Sequence, residues 1–388
     1  MKFIKSIVVV SVLSMFLMTV KGQSTQSDVV NNIVSTAVPF LNIAPESRAG
    51  GMGDAGVATS PDLNSQYWNP AKYAFIDGSM GVSVSFTPWL RELIGDINLS
   101  YVSFYYRIDE MQTLSSSLTY FSLGDITYTD ESGTPLGAGH PNEFALDVAY
   151  SRVLSDHFSG GVSFRYIRSD ILNGSPTAQS LPGNSFAADV AFYYHTTWRK
   201  HRKDSELSAG INISNIGSKI SYDGGNTKEF IPTNLRLGAA YRMELDEYNE
   251  LMFTADINKL LVPSVLDTTS AETSVISGMF TSFSDAPDGF TEELQEIKVS
   301  GGVEYWYNKQ FAIRAGYHHE NENKGNRKYA TAGVGLRFNI FSIDASYIIP
   351  MQANNPLANT IRFSLGFDLS NVGGKGGKSR GRSTHKRR

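Results

Sequence analysis

The 388-residue chain has no cysteine. That excludes a disulfide-stapled secreted scaffold, a thiolate zinc site, a cysteine nucleophile and a lipid-modified N-terminal cysteine. Charge is also scarce, at 19% of residues, and mean hydropathy is only −0.20. A polytopic helical membrane protein needs several apolar runs of about 20 residues, and a disordered chain needs more charge and fewer aromatics. Neither pattern is here. What is present is glycine, 35 residues, with 22 phenylalanines, 19 tyrosines and 4 tryptophans, and the length suits two ordinary domains or one large β unit.

One long apolar run does occur, Ile4 to Val20, between Lys2 and Lys5 on one side and Lys21-Gly22-Gln23 on the other. Basic flank, apolar stretch and small residue predict a signal peptide over residues 1–22, a retained membrane anchor being the alternative. Its removal takes three lysines with it, so the exported chain is more acidic than the whole chain's net charge of −4. Residues 371–388 are basic and glycine-rich, from Gly373-Gly374-Lys375 to Lys386-Arg387-Arg388. This composition predicts a disordered, solvated tail, and export of an acidic chain argues against nucleic acid as its partner.

Between these ends the hydrophobic period is two. Phe144, Leu146, Val148 and Tyr150 alternate with Ala145, Asp147, Ala149 and Ser151, and Ile361, Phe363, Leu365, Phe367 and Leu369 alternate with Arg362, Ser364, Gly366 and Asp368. Such segments present one apolar face and one small or polar face. They recur at 79–87, 96–107, 111–123, 142–154, 157–169, 184–198, 205–215, 230–243, 248–260, 295–307, 310–319, 327–339, 341–350 and 359–369. These fourteen are joined alternately by tight turns, as at Ser155-Asp156 and Asn308-Lys309, and by long loops, as at 124–141 and 261–294. The expected fold is all-β: a 14-stranded antiparallel transmembrane barrel over residues 79–370, with short periplasmic turns, longer extracellular loops and a periplasmic C-terminal tail. Only closure removes the sheet edges that hydrocarbon cannot satisfy. Tyr105, Tyr106, Tyr193, Tyr194, Tyr305 and Tyr307 are expected in the interfacial girdles.

The same parity sends Asp147, Arg165, Arg236, Asp256, Glu304, Arg314, Arg337, Asp344, Arg362 and Asp368 into the lumen. Charges at membrane depth persist when turned inward and paired, which predicts a lumen salt-bridge network. A solute-selective pore is the other reading.

Residues 23–78 are too long for a mere leader, and their small residues suit close packing inside a barrel as a plug. Gly51-Met52-Gly53-Asp54-Ala55-Gly56 matches the spacing of a dinucleotide fingerprint, but Ala44-Pro45-Glu46-Ser47-Arg48 precedes it where a buried strand is required. Arg48, Gly50, Gly51, Gly53 and Asp54, followed by Asn69-Pro70-Ala71, resemble instead the N-terminal signature of the FadL superfamily. Asn42 to Asp62 with Gln66 to Phe75, continuing through Thr87-Pro88-Trp89-Leu90-Arg91, is more closely similar to the PorV family of the type IX secretion system. This resemblance implies an outer-membrane carrier that binds the C-terminal signal domain of secreted cargo. It collects cargo at a large translocon barrel and delivers it to an attachment complex containing a sortase-like protease. It also implies contact with membrane lipid and lipopolysaccharide, and no enzymatic activity of its own. The glycine-rich basic tail departs from a barrel that ends on an aromatic strand residue.

No nucleophile elbow, metalloprotease pair or phosphate loop occurs, and no cofactor is expected, lipid or detergent in the lumen remaining open. His318 and His319 before Glu320 suit a polar loop rim better than a metal site, which needs more ligands. Glu292-Glu293 and Asp285 with Asp288 suit a solvated loop, calcium being the alternative. Asn173-Gly174-Ser175 and Asn212-Ile213-Ser214 match glycosylation sequons without special force. Two loops are more informative because they are apolar. One carries Trp89, Leu90, Leu93 and Ile94; the other Leu261, Val262, Val265, Leu266, Ile276, Met279, Phe280, Phe283 and Phe290. Such anchors suit a partner surface, or a lid over the barrel mouth. The expected function is thus a cargo carrier, with a FadL-like conduit for hydrophobic small molecules as the alternative.

Overall fold

The computed structural model describes residues 33–91, 95–174, 181–200, 202–264, 273–352 and 357–370. Leu93, Ile94, Val265, Leu266, the signal segment and the basic tail lie outside the described residues.

Alternation closes into a barrel. Its strands are β1 (Met80–Pro88), β2 (Asn98–Arg107), β3 (Gln112–Ser122), β6 (Asn142–Ser155), β7 (Phe158–Asp170), β8 (Gly183–Lys200), β9 (Lys203–Gly217), β10 (Asn234–Glu244), β11 (Asn249–Leu260), β12 (Lys298–Tyr307), β13 (Phe311–His319), β14 (Lys328–Phe338), β15 (Phe341–Pro350) and β16 (Ile361–Asp368). The barrel order follows the chain, and β1 pairs antiparallel with β16, from Gly81↔Asp368 to Phe86↔Phe363, so no edge is left. The fourteen expected strands are therefore the fourteen barrel strands, with ends shifted by a few residues. A separate hairpin, β4 (Ile126–Thr129) with β5 (Pro135–Gly139), stands in the loop after β3. It was not legible because Gly124, Gly133 and Pro135 read as loop.

Burial runs opposite to that of a soluble protein. Val84, Phe86, Phe164, Phe186, Val334 and Phe363 are exposed, while Ser83, Ser85, Ser103, Ser117 and Ser163 are buried. The apolar face is turned to lipid and the small polar face inward. No helix among the described residues is long and apolar enough to cross a membrane; the strands do the crossing.

Parity corrects part of the tyrosine reading, because neighbours on a strand face opposite ways. Tyr106, Tyr194 and Tyr307 are exposed outward, whereas Tyr105 and Tyr193 are buried inward. There Tyr105 stacks on Tyr73 at 5.4 Å between ring centroids, and Tyr193 lies 6.2 Å from Phe75.

Candidate functional site

Two regions could carry function: the lumen and the long-loop end. In the lumen, residues 37–76 are held by strands from every side. Ser103 Oγ donates to Leu63 O at 2.8 Å, Ser151 Oγ to Pro70 O at 2.7 Å, Ser208 Oγ to Ala58 O at 2.8 Å and Asn212 Nδ2 to Trp68 O at 3.0 Å. The inward serines are thus both small enough to admit a backbone and able to bond it. Glycine on the wall serves the same end: a Cβ at Gly316 would stand 2.1 Å from Met52 C. Gly53 has φ +72, and a Cβ there would meet Tyr317 O at 2.5 Å, so only glycine fits this close approach.

Each signature residue has a task. Glu46 accepts from Ala49 N–H at 2.8 Å, capping the short helix α1 (Ser47–Gly50), and from Trp68 Nε1 at 2.9 Å, which ties α1 to α2 (Ser65–Trp68). Burial pushes its carboxyl up to about 7. Arg48 bridges Glu304 on β12, at 2.8 Å, and Asp62, at 2.7 Å. Gly50 and Gly51 lie against Arg362 and Gly333. Asp54 pairs with Arg362 at 2.7 Å. Asn69 accepts from Ala71 N–H and donates to Phe192 O, while Pro70 opens the following 3₁₀ turn.

The ten lumen charges do not simply pair with one another. Arg165 with Asp147, and Arg314 with Glu304 and Asp344 at 2.7 and 2.6 Å, are strand-to-strand pairs. Arg165 also holds Asp189 at 3.0 Å. Arg362 and Glu304 are completed by Asp54 and Arg48 from the enclosed segment. Among the described residues Asp256 forms no ion pair but accepts the N–H groups of Gly56, at 2.7 Å, and Val57, at 2.9 Å. Arg236 lies over the Tyr67 and Trp68 rings. Two residues depart from the reading: Arg337 and Asp368 are solvent-exposed at the short-turn end, because parity gives the face and not the depth. Arg337 stacks there on Trp306, 4.3 Å from its centroid.

At the long-loop end, the connection between β11 and β12 folds as α3 (Val275–Thr281) and α4 (Phe290–Gln295). Phe280 is 74% and Phe290 76% exposed, and Ile276, Phe283 and Leu294 are exposed beside them in the same connection. Underneath lies a buried ionic clamp. Lys259 Nζ binds Glu293 at 2.9 Å and Glu296 at 2.5 Å, and Lys324 Nζ binds Glu292 at 2.5 Å and Glu296 at 3.1 Å. Glu292-Glu293 are therefore buried and ion-paired rather than solvated. Their lysines come from another strand and another loop, which spacing along the chain does not reveal. Ser264 adds hydrogen bonds to Asp285 at 2.9 Å and Glu296 at 2.7 Å. Nearby, burial raises the Glu320 carboxyl, but Arg327 and Lys298 outweigh it and hold that carboxyl down at about 2.

Of the residues expected to meet a partner, Phe280, Phe283 and Phe290 are accessible and Met279 is half-buried. Leu261 and Val262 are buried, so they belong to the packing beneath the loop and not to its surface. Trp89 and Leu90 are half-buried, packed against Tyr329, Ile348 and Leu357. His318, expected on a loop rim, is buried instead, stacked on Tyr329 and hydrogen-bonded to Ser300 at 2.9 Å.

The lumen's apolar wall is also covered from within. Leu99, Phe121, Ile167, Ile220 and Ile231 pack against the chain's own Val38, Phe40 and Leu41.

This geometry, a closed fourteen-stranded antiparallel barrel with its lumen occupied, is a FadL-like barrel fold. A structure titled "TodX deltaS2S3 mutant monoaromatic hydrocarbon channel" is similar over 83% of this chain and 96% of its own, with TM-score 0.50 and 12% identity. The toluene transporter TodX of P. putida aligns over 84% and 96%, with TM-score 0.47 and 10% identity. No curated protein matches the sequence. The family model described as "Type IX secretion system protein PorV" matches residues 25–267, more than half of the chain. The chain belongs to the PorV family and is an outer-membrane protein of type IX secretion.

Proposed function

We propose that this protein is a carrier that binds the C-terminal signal domain of exported cargo on its long-loop end. It takes cargo from the large translocon barrel and presents it to the attachment complex with its sortase-like protease. The long loops then face outward and the short turns and tail face the periplasm. One observation carries this reading: the Phe280, Phe283 and Phe290 surface, held on a loop that a buried ionic clamp fastens to the barrel. Exposed aromatics on a fixed support suit capture of a folded protein, since little loop entropy remains to be lost on binding. The chemistry of removing the signal domain belongs to the partner.

The filled lumen weighs against a conduit for hydrophobic compounds. Arg48, Glu304, Arg314 and Asp344 form one ionic chain that ties the enclosed segment to the wall at β12, β13 and β15, and the apolar wall that such a compound would need is taken by Val38, Phe40 and Leu41. The test is the double substitution Phe280→Ser with Phe290→Ser in the full chain. Both side chains are exposed, so the barrel should keep its heat-modifiable gel mobility while cargo capture falls at least tenfold, given that central aromatic anchors each contribute about 2 kcal/mol or more. Unchanged capture would refute this site.

A further inference from the structure

Four of the buried lumen arginines, Arg48, Arg165, Arg314 and Arg362, hold a carboxylate. Arg236 on β10 is only 4% exposed and, among the described residues, forms no ion pair. Its Nη1 donates to Tyr67 O at 2.9 Å and its Nη2 to Tyr67 Oη at 3.3 Å. Its guanidinium lies 4.7 Å from the Tyr67 ring centroid and 5.3 Å from that of Trp68. The acids that act on it electrostatically are engaged elsewhere. Asp189 takes Arg165 at 3.0 Å and the Asn215 N–H at 2.8 Å, and Asp256 takes the N–H groups of Gly56 and Val57.

A cavity of about 70 Å³ adjoins Arg236, lined also by Lys298, Arg327, Arg362, Asn234 and Asn258. Lys298 is close enough for the two cations to repel. Glu320 serves Lys298 and Arg327, and Asp54 serves Arg362, so four cations meet two carboxylates. Among the described residues Arg362 Nε, on a side chain that is 1% exposed, has no hydrogen-bond partner, and Arg362 lines the cavity. A buried guanidinium costs free energy unless an anion completes it. Asp189 and Asp256 act on Arg236 from a distance and balance much of this charge, but among the described residues no carboxylate contacts its guanidinium, which leaves a contact site suited to one carboxylate, and the cavity has room for a small flat head.

We propose that this cavity beneath Trp89 binds a single carboxylate, with Arg236 as its principal ligand and Lys298 as the second cation. The carboxylate comes either from the free C-terminus of a peptide or from a small organic acid. The site does not depend on the Phe280 surface, so failure of one leaves the other standing.

Trp68 and Trp89 line the cavity and report its occupancy by fluorescence. The full chain in detergent is titrated with acetate and with acetamide, at constant chloride and ionic strength. The same titration is run on Arg236→Gln, with barrel folding checked by heat-modifiable mobility. Acetate should saturate a fluorescence change that acetamide does not produce, and Arg236→Gln should raise the midpoint roughly tenfold or more, as loss of a charge-assisted bond requires. A decapeptide ending in the C-terminal residues of a signal domain, made as free acid and as amide, separates the sources. Preference for the acid, lost in Arg236→Gln, assigns a peptide terminus; acetate binding without such preference assigns a small acid. Equal response of the wild-type chain to acetate and acetamide overturns the site, and this needs no variant to fold.

Discussion

Arg48 of the enclosed segment and Glu304 of β12, 256 positions apart in sequence, meet through two hydrogen bonds, Nε to Oε2 at 3.0 Å and Nη2 to Oε1 at 2.8 Å. Glu304 in turn holds Arg314 at 2.7 Å, so one carboxylate is shared by two buried guanidinium groups, whose charge Asp62 and Asp344 help to balance. Removing it should be worse than removing a surface ion pair, because it strands buried charge. Glu304→Gln is expected to cost about 3–5 kcal/mol, read as a lower unfolding temperature of the detergent-solubilised barrel. A change within scatter would contradict the role of this contact.

Backbone approach makes a second prediction. Gly53→Ala should destabilise the enclosed segment, since its φ of +72 and the Tyr317 carbonyl 2.5 Å from the new Cβ both oppose a side chain. Gly95→Ala, with nothing within 4 Å, should be neutral. Protease access to residues 37–76 would rise in the first variant and not in the second.

The barrel was legible because lipid outside and a packed segment inside impose strict alternation. Phe144 to Tyr150 and Ile361 to Leu369 each declare their face residue by residue, and the final strand, expected at 359–369, runs Ile361–Asp368. That Arg165 and Asp147 share the lumen face was readable from parity; that they meet follows from the register that sets them opposite each other on β7 and β6. The partners of Arg362 and Glu304 were not readable, since Asp54 and Arg48 come from outside the sheet, where no register constrains them. Helices α3 and α4 escaped notice because seven and six residues are too short to show a 3.6 period.

The clamp under the apolar loop can be opened without touching its surface. Lys324→Met leaves Glu292 without the ammonium 2.5 Å away and takes one of the two lysines from Glu296. The loop between β11 and β12 should then be cleaved faster by limited proteolysis while the barrel persists. Cargo capture should fall less than with loss of Phe280 and Phe290, because the aromatics remain. Unaltered cleavage would show that the clamp does not fix the loop.

Acid should open the same region. Glu320 is held down at about 2 and Glu296 below its ordinary value of 4.5. For Glu296, burial acts upward and is outweighed by its bonds to Lys259, Ser264 and Lys324. A depressed folded-state pKa adds stability above the unfolded value that disappears as pH falls through the folded one. Proteolytic protection of the long loops should therefore be constant from neutral pH to about 5 and decline from about 4.5 toward 2. Loss of protection between pH 8 and 6 would contradict these assignments.

The carrier account is tested most directly by surface and periplasmic proteomics of a strain lacking this gene, following the proteins that bear the C-terminal secretion domain. The account predicts that they vanish from the surface and accumulate in the periplasm with the domain uncleaved, and that the gene carrying Phe280→Ser and Phe290→Ser fails to restore them. Normal sorting of those proteins, accompanied by reduced uptake of hydrophobic compounds, would contradict it.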